Sequence, residues 1–267
     1  MESINNENQF SSLKENKIIG KPNLTNSLIS FHGKNNILYC EKDVNIVNSN
    51  IRFLGDNSLV YLSSSKSVYP LSLQIFNNSL FYIGKDSMLS PTLSVNVQEQ
   101  KHVVIGDECV IGSNVDIKTS DPHVIYDSNT KKRINHSKSV YIGDHVLLGQ
   151  MTYVTRGTLI GSGSILDNNT YAMNVHLKSN NLYCGNPVKL LKNGVFFTND
   201  YVGGFMDEDT LNHEDYVSRI YLYENSPGET LDINKIDSLL TNFNVDEKLD
   251  FVKKLFIQNK KHNRFVI

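Results

Sequence analysis

Five aliphatic residues recur at intervals of six: positions 142, 148, 154, 160 and 166 are Ile, Leu, Val, Ile and Leu. The same spacing appears earlier, at Ile105 and Ile111. A period of six predicts a parallel β-helix, in which three-sided coils stack their aliphatic side chains into one shared core. Short strands of a β-sandwich would instead alternate in polarity, with turn signals every roughly 8 to 12 residues. The spacing therefore predicts an all-β solenoid.

Glycine directly follows several of these aliphatic residues, as in Ile105-Gly106 and Ile142-Gly143. Glycine tolerates the positive φ angles that a Cβ opposes. We therefore expect these glycines to occupy corners with positive φ.

The composition argues against several classes of protein. A net charge of −2 gives no basic surface for nucleic acid. The chain has no apolar run of about 18 residues, so we expect no membrane span, and its first residues lack the apolar stretch of a signal peptide. Cys40, Cys109 and Cys184 are too far apart for a metal motif or a disulfide framework, which favours a reducing cytoplasm. We expect a cytoplasmic protein, with association at the inner face of the membrane left open.

The pattern divides the chain into three predicted parts. Residues 1–100 read as irregular first coils, and residues 101–192 as the regular coil, interrupted by a polar loop over 118–139. Residues 193–267 change to helical spacing, with helices over 232–240 and 246–260. Either Asn244 or Asp246 is expected to cap the second helix. We expect this tail to pack on the coil or on another subunit.

The loop carries the candidate for chemistry. His123 follows Asp121 and Pro122 at the point where the chain leaves the coil, so it should be both held and reachable. Histidine is the side chain best suited to removing a proton from a sugar hydroxyl near neutral pH. Asp121 or Asp127 could orient its ring. The competing interpretation is a surface histidine without a role.

A metal site is not expected. A zinc site needs several imidazoles that converge on the ion. His123, His136 and His145 form no close pair at ligand spacing. Cys109 is expected to be a small packing residue rather than a nucleophile.

Three segments together resemble a known family: TSDPHVIYDSNTKKRIN from Thr119, YIGDHVLLG from Tyr141 and CGNPVKLLK from Cys184. They are similar to hexapeptide-repeat O-acetyltransferases of the left-handed β-helix superfamily, especially those that act on capsular polysaccharides, including sialic-acid-containing ones. The likeness covers roughly residues 103–192. It implies a left-handed parallel β-helix, a homotrimer, acetyl-CoA as the donor and active sites in the clefts between neighbouring coils.

The resemblance also implies roles for individual residues. His123 falls on the family's catalytic histidine. Gly149, Arg156 and Ser162 would line the donor cleft, and a further group would border the coenzyme: Gly185, Asn186, Pro187, Lys189 and Lys192. Lysines suit this position because they act as point charges beside phosphate.

Two further features bear on the site. Many relatives have Trp where this chain has Leu147, and the chain contains no Trp, so no indole N–H is available there. His145, in a Gly-Asp-His corner, is either a second site histidine or a structural one. A basic group in the loop, Lys131, Lys132 and Arg133, is expected to contact an anionic glycan, with a solvated turn as the alternative. Asn135 is also expected to bind the acceptor.

The sequence thus predicts an acetyl-CoA-dependent O-acetyltransferase of a bacterial surface polysaccharide, with His123 as general base and direct transfer. One alternative is acylation of a nucleotide-linked sugar or another small acceptor, because one fold hosts many acceptors. Another is a non-catalytic β-helical scaffold, which would not bind acetyl-CoA.

Overall fold

Short strands form three flat faces that wind into one β-helix, which the computed structural model describes over all 267 residues. Sheet 1 contains Glu2–Ile4, Leu28–Phe31, Asn50–Phe53, Leu71–Ile75, Leu93–Val97, Asp116–Lys118, Tyr153–Thr155 and Tyr171–Met173. Sheet 2 contains Lys17–Ile19, Ile37–Cys40, Leu59–Leu62, Leu80–Ile83, His102–Ile105, Val140–Ile142, Leu159–Ile160 and His176–Leu177. Sheet 3 contains Met88–Leu89, Val110–Ile111, Leu147–Leu148, Ile165–Leu166, Asn181–Cys184 and Lys189–Asn193. A small pair, Asn23–Thr25 with Asn45–Val47, completes the first coils.

Neighbouring strands run parallel except at the two ends, where the first and last strands pair antiparallel. Aliphatic and aromatic side chains from all three sheets form one buried core of 36 residues inside the coil. The predicted left-handed parallel β-helix of hexapeptide repeats is confirmed.

The coils before the loop are longer than the coils after it. Before the loop one coil takes 22 residues, since Leu71 pairs with Leu93. After the loop one coil takes 18 residues, since Tyr153 pairs with Tyr171. The loop of residues 119–139 lies at the step between the two sizes, at the corner that joins sheet 1 to sheet 2.

The glycines at the corner between sheets 2 and 3 do not have positive φ, so that expectation is wrong. A Cβ on Gly106 would lie 2.5 Å from Oδ1 of Asp144, and one on Gly143 would lie 2.5 Å from the backbone N of Ser162. Glycine is therefore required because the next coil approaches closely. Positive φ falls two residues later, on Glu108 at 56° and His145 at 51°.

The tail forms helices, as predicted. Its α-helices are α1 at Asp207–Asn212, α2 at Ile233–Asn242 and α3 at Val245–Val252. The tail also contains a 3-10 segment at Val202–Gly204 and a π-helical turn at Lys253–Gln258. Another 3-10 segment, Glu7–Ser12, lies near the start of the chain. Asn244 is the N-cap of α3 and forms a capping box with Glu247. None of the helices has the length and apolarity that crossing a bilayer requires.

Helices α2 and α3 cover the outer face of sheet 2, so the tail packs on its own coil. A second apolar cluster lies between them and includes Leu59, Tyr61, Leu80 and Tyr82 from the sheet and Ile236, Leu240, Leu249, Val252 and Phe256 from the tail. The rings of Tyr82 and Phe256 lie 4.8 Å apart. The outer faces of sheets 1 and 3 carry no such cover.

A buried arginine near the end of the chain fixes the tail to the coil. Arg264 is 1% exposed and donates to both carboxylate oxygens of Asp144, at 2.9 and 2.7 Å, and to Asp107 at 2.9 Å. The carboxylate of Asp144 also accepts from the backbone N of Asp107, at 2.7 Å. Both aspartates lie at the corner between sheets 2 and 3, so this corner is closed by the chain's own tail.

Candidate active site

The loop folds into a small hairpin at the corner between sheets 1 and 2. Tyr126 and Arg133 form an antiparallel bridge, and the backbone N of Ile134 donates to the carbonyl of Ile125 at 2.9 Å. Asp127 closes the turn, because its carboxylate accepts from the backbone N of Thr130 at 2.7 Å. Asp127 therefore shapes the turn and does not contact His123.

Three polar side chains hold the backbone around His123. Asp121 accepts from Arg156 Nε at 3.1 Å and from Asn135 Nδ2 at 3.0 Å. Asn135 is 1% exposed and also donates to the carbonyl of His123 at 2.8 Å. Its Oδ1 accepts from the backbone N of Ile125, at 2.8 Å. The backbone is thus tied on both sides of His123 while the imidazole itself remains exposed.

A second tie links the hairpin to the preceding coil. Arg133 donates through both terminal nitrogens to Glu99, at 2.9 and 2.8 Å, and Ser137 donates to the same carboxylate. These hydrogen bonds, those from Arg133 first, lower the pKa of Glu99 to about 2. Glu99 is therefore ionised near neutral pH and holds Arg133 in place.

His123 lies beside an open depression of about 340 Å³. Its other walls come from the corners of the two preceding coils, Phe76 and Asn77 in one and Gln98 to Gln100 in the next, and from Asp121 and Arg133 in the loop. An exposed imidazole on a fixed backbone beside a depression can accept a proton from a bound hydroxyl group.

The predicted site residues divide among the three corners. His123, Asp121, Asn135, Arg133 and Arg156 come together at the corner between sheets 1 and 2. Asp121 is bonded to Arg156 and Asn135 rather than to the imidazole, so it positions the loop and not the ring. Lys131 and Lys132 are exposed at the hairpin turn and do not line the depression.

His145 and Ser162 lie at the next corner, between sheets 2 and 3. The ring of His145 is stacked between Phe197 and Tyr221, with centroid distances of 3.9 and 4.3 Å, and its Nε2 lies 2.9 Å from the carbonyl oxygen of Phe197. Burial lowers the pKa of His145, although the Phe197 carbonyl opposes this shift. Ser162 is buried and accepts from the backbone N of Asp144 at 2.9 Å. The structural interpretation of His145 fits this geometry.

The remaining predicted donor residues lie at the third corner or beyond it. Gly149 is buried where sheet 3 turns toward sheet 1, and Gly185, Asn186 and Pro187 are exposed after the last parallel strand. Lys189 and Lys192 are exposed on the final antiparallel strand. A single chain therefore does not bring the predicted donor residues together. Leu147 lies half-buried on the outer face of sheet 3, between Val110 and Ile165.

Sequence reasoning missed Glu99 and Gln98, which help to form the site. The signal that could have found them is the 22-residue spacing of corner residues in the earlier coils, where Asn35 and Asn57 have positive φ, as do Asn78 and Gln100, the neighbour of Glu99. A search restricted to a period of six does not detect this spacing.

Known proteins resemble both the repeats and the fold. The family described as "Hexapeptide repeat of succinyl-transferase" matches residues 102–117 and 139–171, on either side of the loop. A polysialic acid O-acetyltransferase of Neisseria meningitidis is 35% identical over 63 residues, which is 24% of this chain and 29% of that protein. One from Escherichia coli O1:K1 / APEC is 33% identical over 75 residues, 28% of this chain and 24% of that protein. The aligned segment thus spans less than a third of each relative.

Two crystal structures share the coil over most of this chain. The polySia-specific acetyltransferase NeuO superimposes with a TM-score of 0.60 at 24% identity, over 74% of this chain and 97% of its own. The polysialic acid O-acetyltransferase OatWY does so with a TM-score of 0.58 at 24% identity, over 74% and 94%. At this identity the superpositions establish a common fold. The chain therefore has the β-helical fold of these two structures and carries the hexapeptide repeat on either side of the loop.

Proposed function

We propose that the protein is an acetyl-CoA-dependent O-acetyltransferase that modifies hydroxyl groups of an acidic, sialic-acid-containing capsular polysaccharide. The observation that carries the proposal is His123, an exposed imidazole whose backbone is tied by Asn135 and Asp121 beside an open depression. The names of the two sequence relatives supply the transferred acetyl group and the acceptor, polysialic acid, and acetyl-CoA as the donor follows from the family resemblance.

In the proposed mechanism His123 takes the proton of the acceptor hydroxyl as its oxygen attacks the thioester carbonyl. Backbone N–H groups of the coil stabilise the oxyanion that forms. His123 then returns the proton to the departing thiolate. No covalent bond to the protein forms, and Asp121 and Asn135 act by positioning the loop.

The proposal includes a homotrimer in which a neighbouring copy completes the donor cleft. The outer face of sheet 3 supports this, because it carries a continuous column of partly exposed apolar side chains: Met88, Val110, Leu147, Ile165 and Leu182. Such a column typically marks a protein interface. Of the four residues expected to bind the acceptor, we assign only Arg133 to direct contact, since it lines the depression.

The decisive test compares His123→Ala with His136→Ala, a matched change at another exposed histidine of the same loop. We expect the first variant to lose acetyl transfer by about 10²- to 10⁴-fold, as removal of a general base does, and the second to keep it. Release of the coenzyme thiol would be measured with a panel of acidic capsular polymers and activated sugars.

Both variants should bind acetyl-CoA and assemble as the wild type does. Near-normal turnover by His123→Ala would exclude the proposed base. Turnover with activated sugars alone would show that the acceptor is a small molecule rather than the polymer. Absence of both coenzyme binding and turnover would favour a non-catalytic scaffold.

A further inference from the structure

Exposed apolar side chains are concentrated in two short segments. The structure has 21 exposed large hydrophobic residues, and 11 of them lie within residues 124–134 or residues 200–220. We call these segments the hairpin and the arm. Concentrated exposed apolar surface generally marks a site of protein contact.

The arm buries almost nothing against its own coil. Its seven exposed large apolar residues are Tyr201, Val202, Met206, Leu211, Tyr216, Val217 and Ile220, and helix α1 within it has no buried residue. The arm is also strongly acidic, with six carboxylates against the single Arg219. Its ends are fixed, because Phe197 and Tyr221 hold the two faces of His145. The arm is therefore an anchored apolar and acidic surface.

The hairpin has the complementary properties. Val124, Ile125, Tyr126 and Ile134 are each 48 to 61% exposed. Lys131 and Lys132 are exposed at its turn and form no ion pair within the chain, unlike Arg133. The hairpin thus presents apolar side chains with two free positive charges beside them.

The two segments are held at different corners of one chain, and no hydrogen bond or ion pair joins them. The hairpin lies at the corner between sheets 1 and 2, where Arg156 and Asp121 hold it. The arm is attached at His145, at the corner between sheets 2 and 3. The whole width of sheet 2, covered by α2 and α3, separates these corners. A contact between hairpin and arm is therefore best made between two copies.

We propose that the arm of one copy docks on the hairpin of the next copy. The contact joins apolar side chains from both segments and sets the arm carboxylates against Lys131 and Lys132. It links two different surfaces, so repetition closes a ring or continues as a filament. It rests on the trimer put forward above, which selects the closed ring. The neighbouring arm then holds the loop that carries His123.

Charge reversal with rescue tests this contact. Glu214 and Asp215 in the arm are exposed and make no ion pair. We expect Lys131→Glu with Lys132→Glu, or Glu214→Lys with Asp215→Lys, to weaken assembly about tenfold or more, because like charges then face each other. Combining all four changes should restore assembly to within about threefold of the wild type. Sedimentation velocity over a range of protein concentrations measures the assembly state.

Cross-linking identifies the partners directly. Ile125→Cys and Val217→Cys would each be made on a Cys184→Ser background, since Cys40 and Cys109 are buried. A short bismaleimide should join the two variants when they are mixed, and neither variant to itself. Linkage within one chain that carries both cysteines at high dilution would overturn the proposal.

Other results would also overturn it. Equal loss of assembly in the single and combined charge variants would show that the charges do not face each other. Intact assembly with lost retention on immobilised polysialic acid after Lys131→Glu and Lys132→Glu would assign these lysines to the acceptor. Because the readout is assembly, a failure here is distinguishable from a failure of the acetyl-transfer assay.

Discussion

His123 and His145 lie at successive corners of the same coil, and each corner has an aspartate bonded to an arginine. At the open corner Asp121 is bonded to Arg156, which comes from the next coil. At the closed corner Asp144 is bonded to Arg264, which comes from the tail and brings aromatic and apolar cover with it. Cover from the tail decides whether a histidine is reachable, because Phe197 and Tyr221 enclose His145 whereas the imidazole of His123 is exposed.

Arg264→Met should give the largest effect on stability. It leaves Asp144 buried without its arginine and Asp107 with only the partly exposed Lys260, and loss of a buried partner typically costs about 3 to 5 kcal/mol. Arg156→Met is the matched change at the open corner, where the pair is partly exposed, and it should cost about 1 kcal/mol or less. Urea unfolding measures both free energies. Equal losses would mean that the two corners do not differ in the way described.

Acid should loosen the closed side of the coil before it affects the open corner. Burial lowers the pKa of His102, beneath α2, from its usual 6.5 to about 3, and nearby Lys248 and Lys101 add to the shift. The pKa of His145 is lowered too. An unfolded histidine gains a proton below about pH 6.5, whereas the buried ones do so only at lower pH, so stability falls as pH drops through this window.

Hydrogen exchange at pH 7 and pH 5 would measure this change in helices α2 and α3 and in residues 195–223. His102→Asn and His145→Ala should each reduce the pH dependence. An unchanged dependence in both variants would mean that other groups cause it. Protonation of Glu99 should reduce the stability of the open corner only at lower pH, because its lowered pKa of about 2 keeps it ionised until then.

Asp121→Asn should have the smallest effect on stability and a modest effect on activity. The asparagine keeps the size of the side chain but removes the charge that Arg156 contacts. The loop backbone then loses part of its support, and we expect turnover to fall about tenfold, since small misplacements of a catalytic group are costly. The unfolding free energy should change by less than about 1 kcal/mol. Steady-state kinetics would measure the loss of turnover. Unchanged turnover would show that Asp121 does not support the position of His123.

The sequence was most informative where structure depends on neighbouring residues. The aliphatic spacing from Ile142 to Leu166 predicts the later coils because each of these side chains points into the core. Asn244 is one of the two residues predicted to cap α3, and such a prediction is possible because capping involves only a few neighbouring residues. The interruption of the spacing also predicts the loop over residues 118–139.

Contacts between distant residues could not be predicted in this way. Arg264 lies 120 residues from Asp144, and no local pattern joins them. The enclosure of His145 depends on Phe197 and Tyr221 in the tail, so the sequence left its role open. The sequence suggests positive φ as the reason for the corner glycines, because the close approach of the next coil is visible only in three dimensions.

The change in coil size has a consequence for the depth of the site. Four fewer residues shorten the perimeter of a coil by about 13 Å, so the wide coils overhang the narrow ones at the loop. The depression beside His123 is lined by corners of those wide coils, at Phe76 to Asn77 and Gln98 to Gln100. The number of residues per coil therefore sets the depth of the site. Lengthening the later coils to 22 residues would remove the overhang of the earlier coils and make the site shallow, without altering any residue that touches the acceptor.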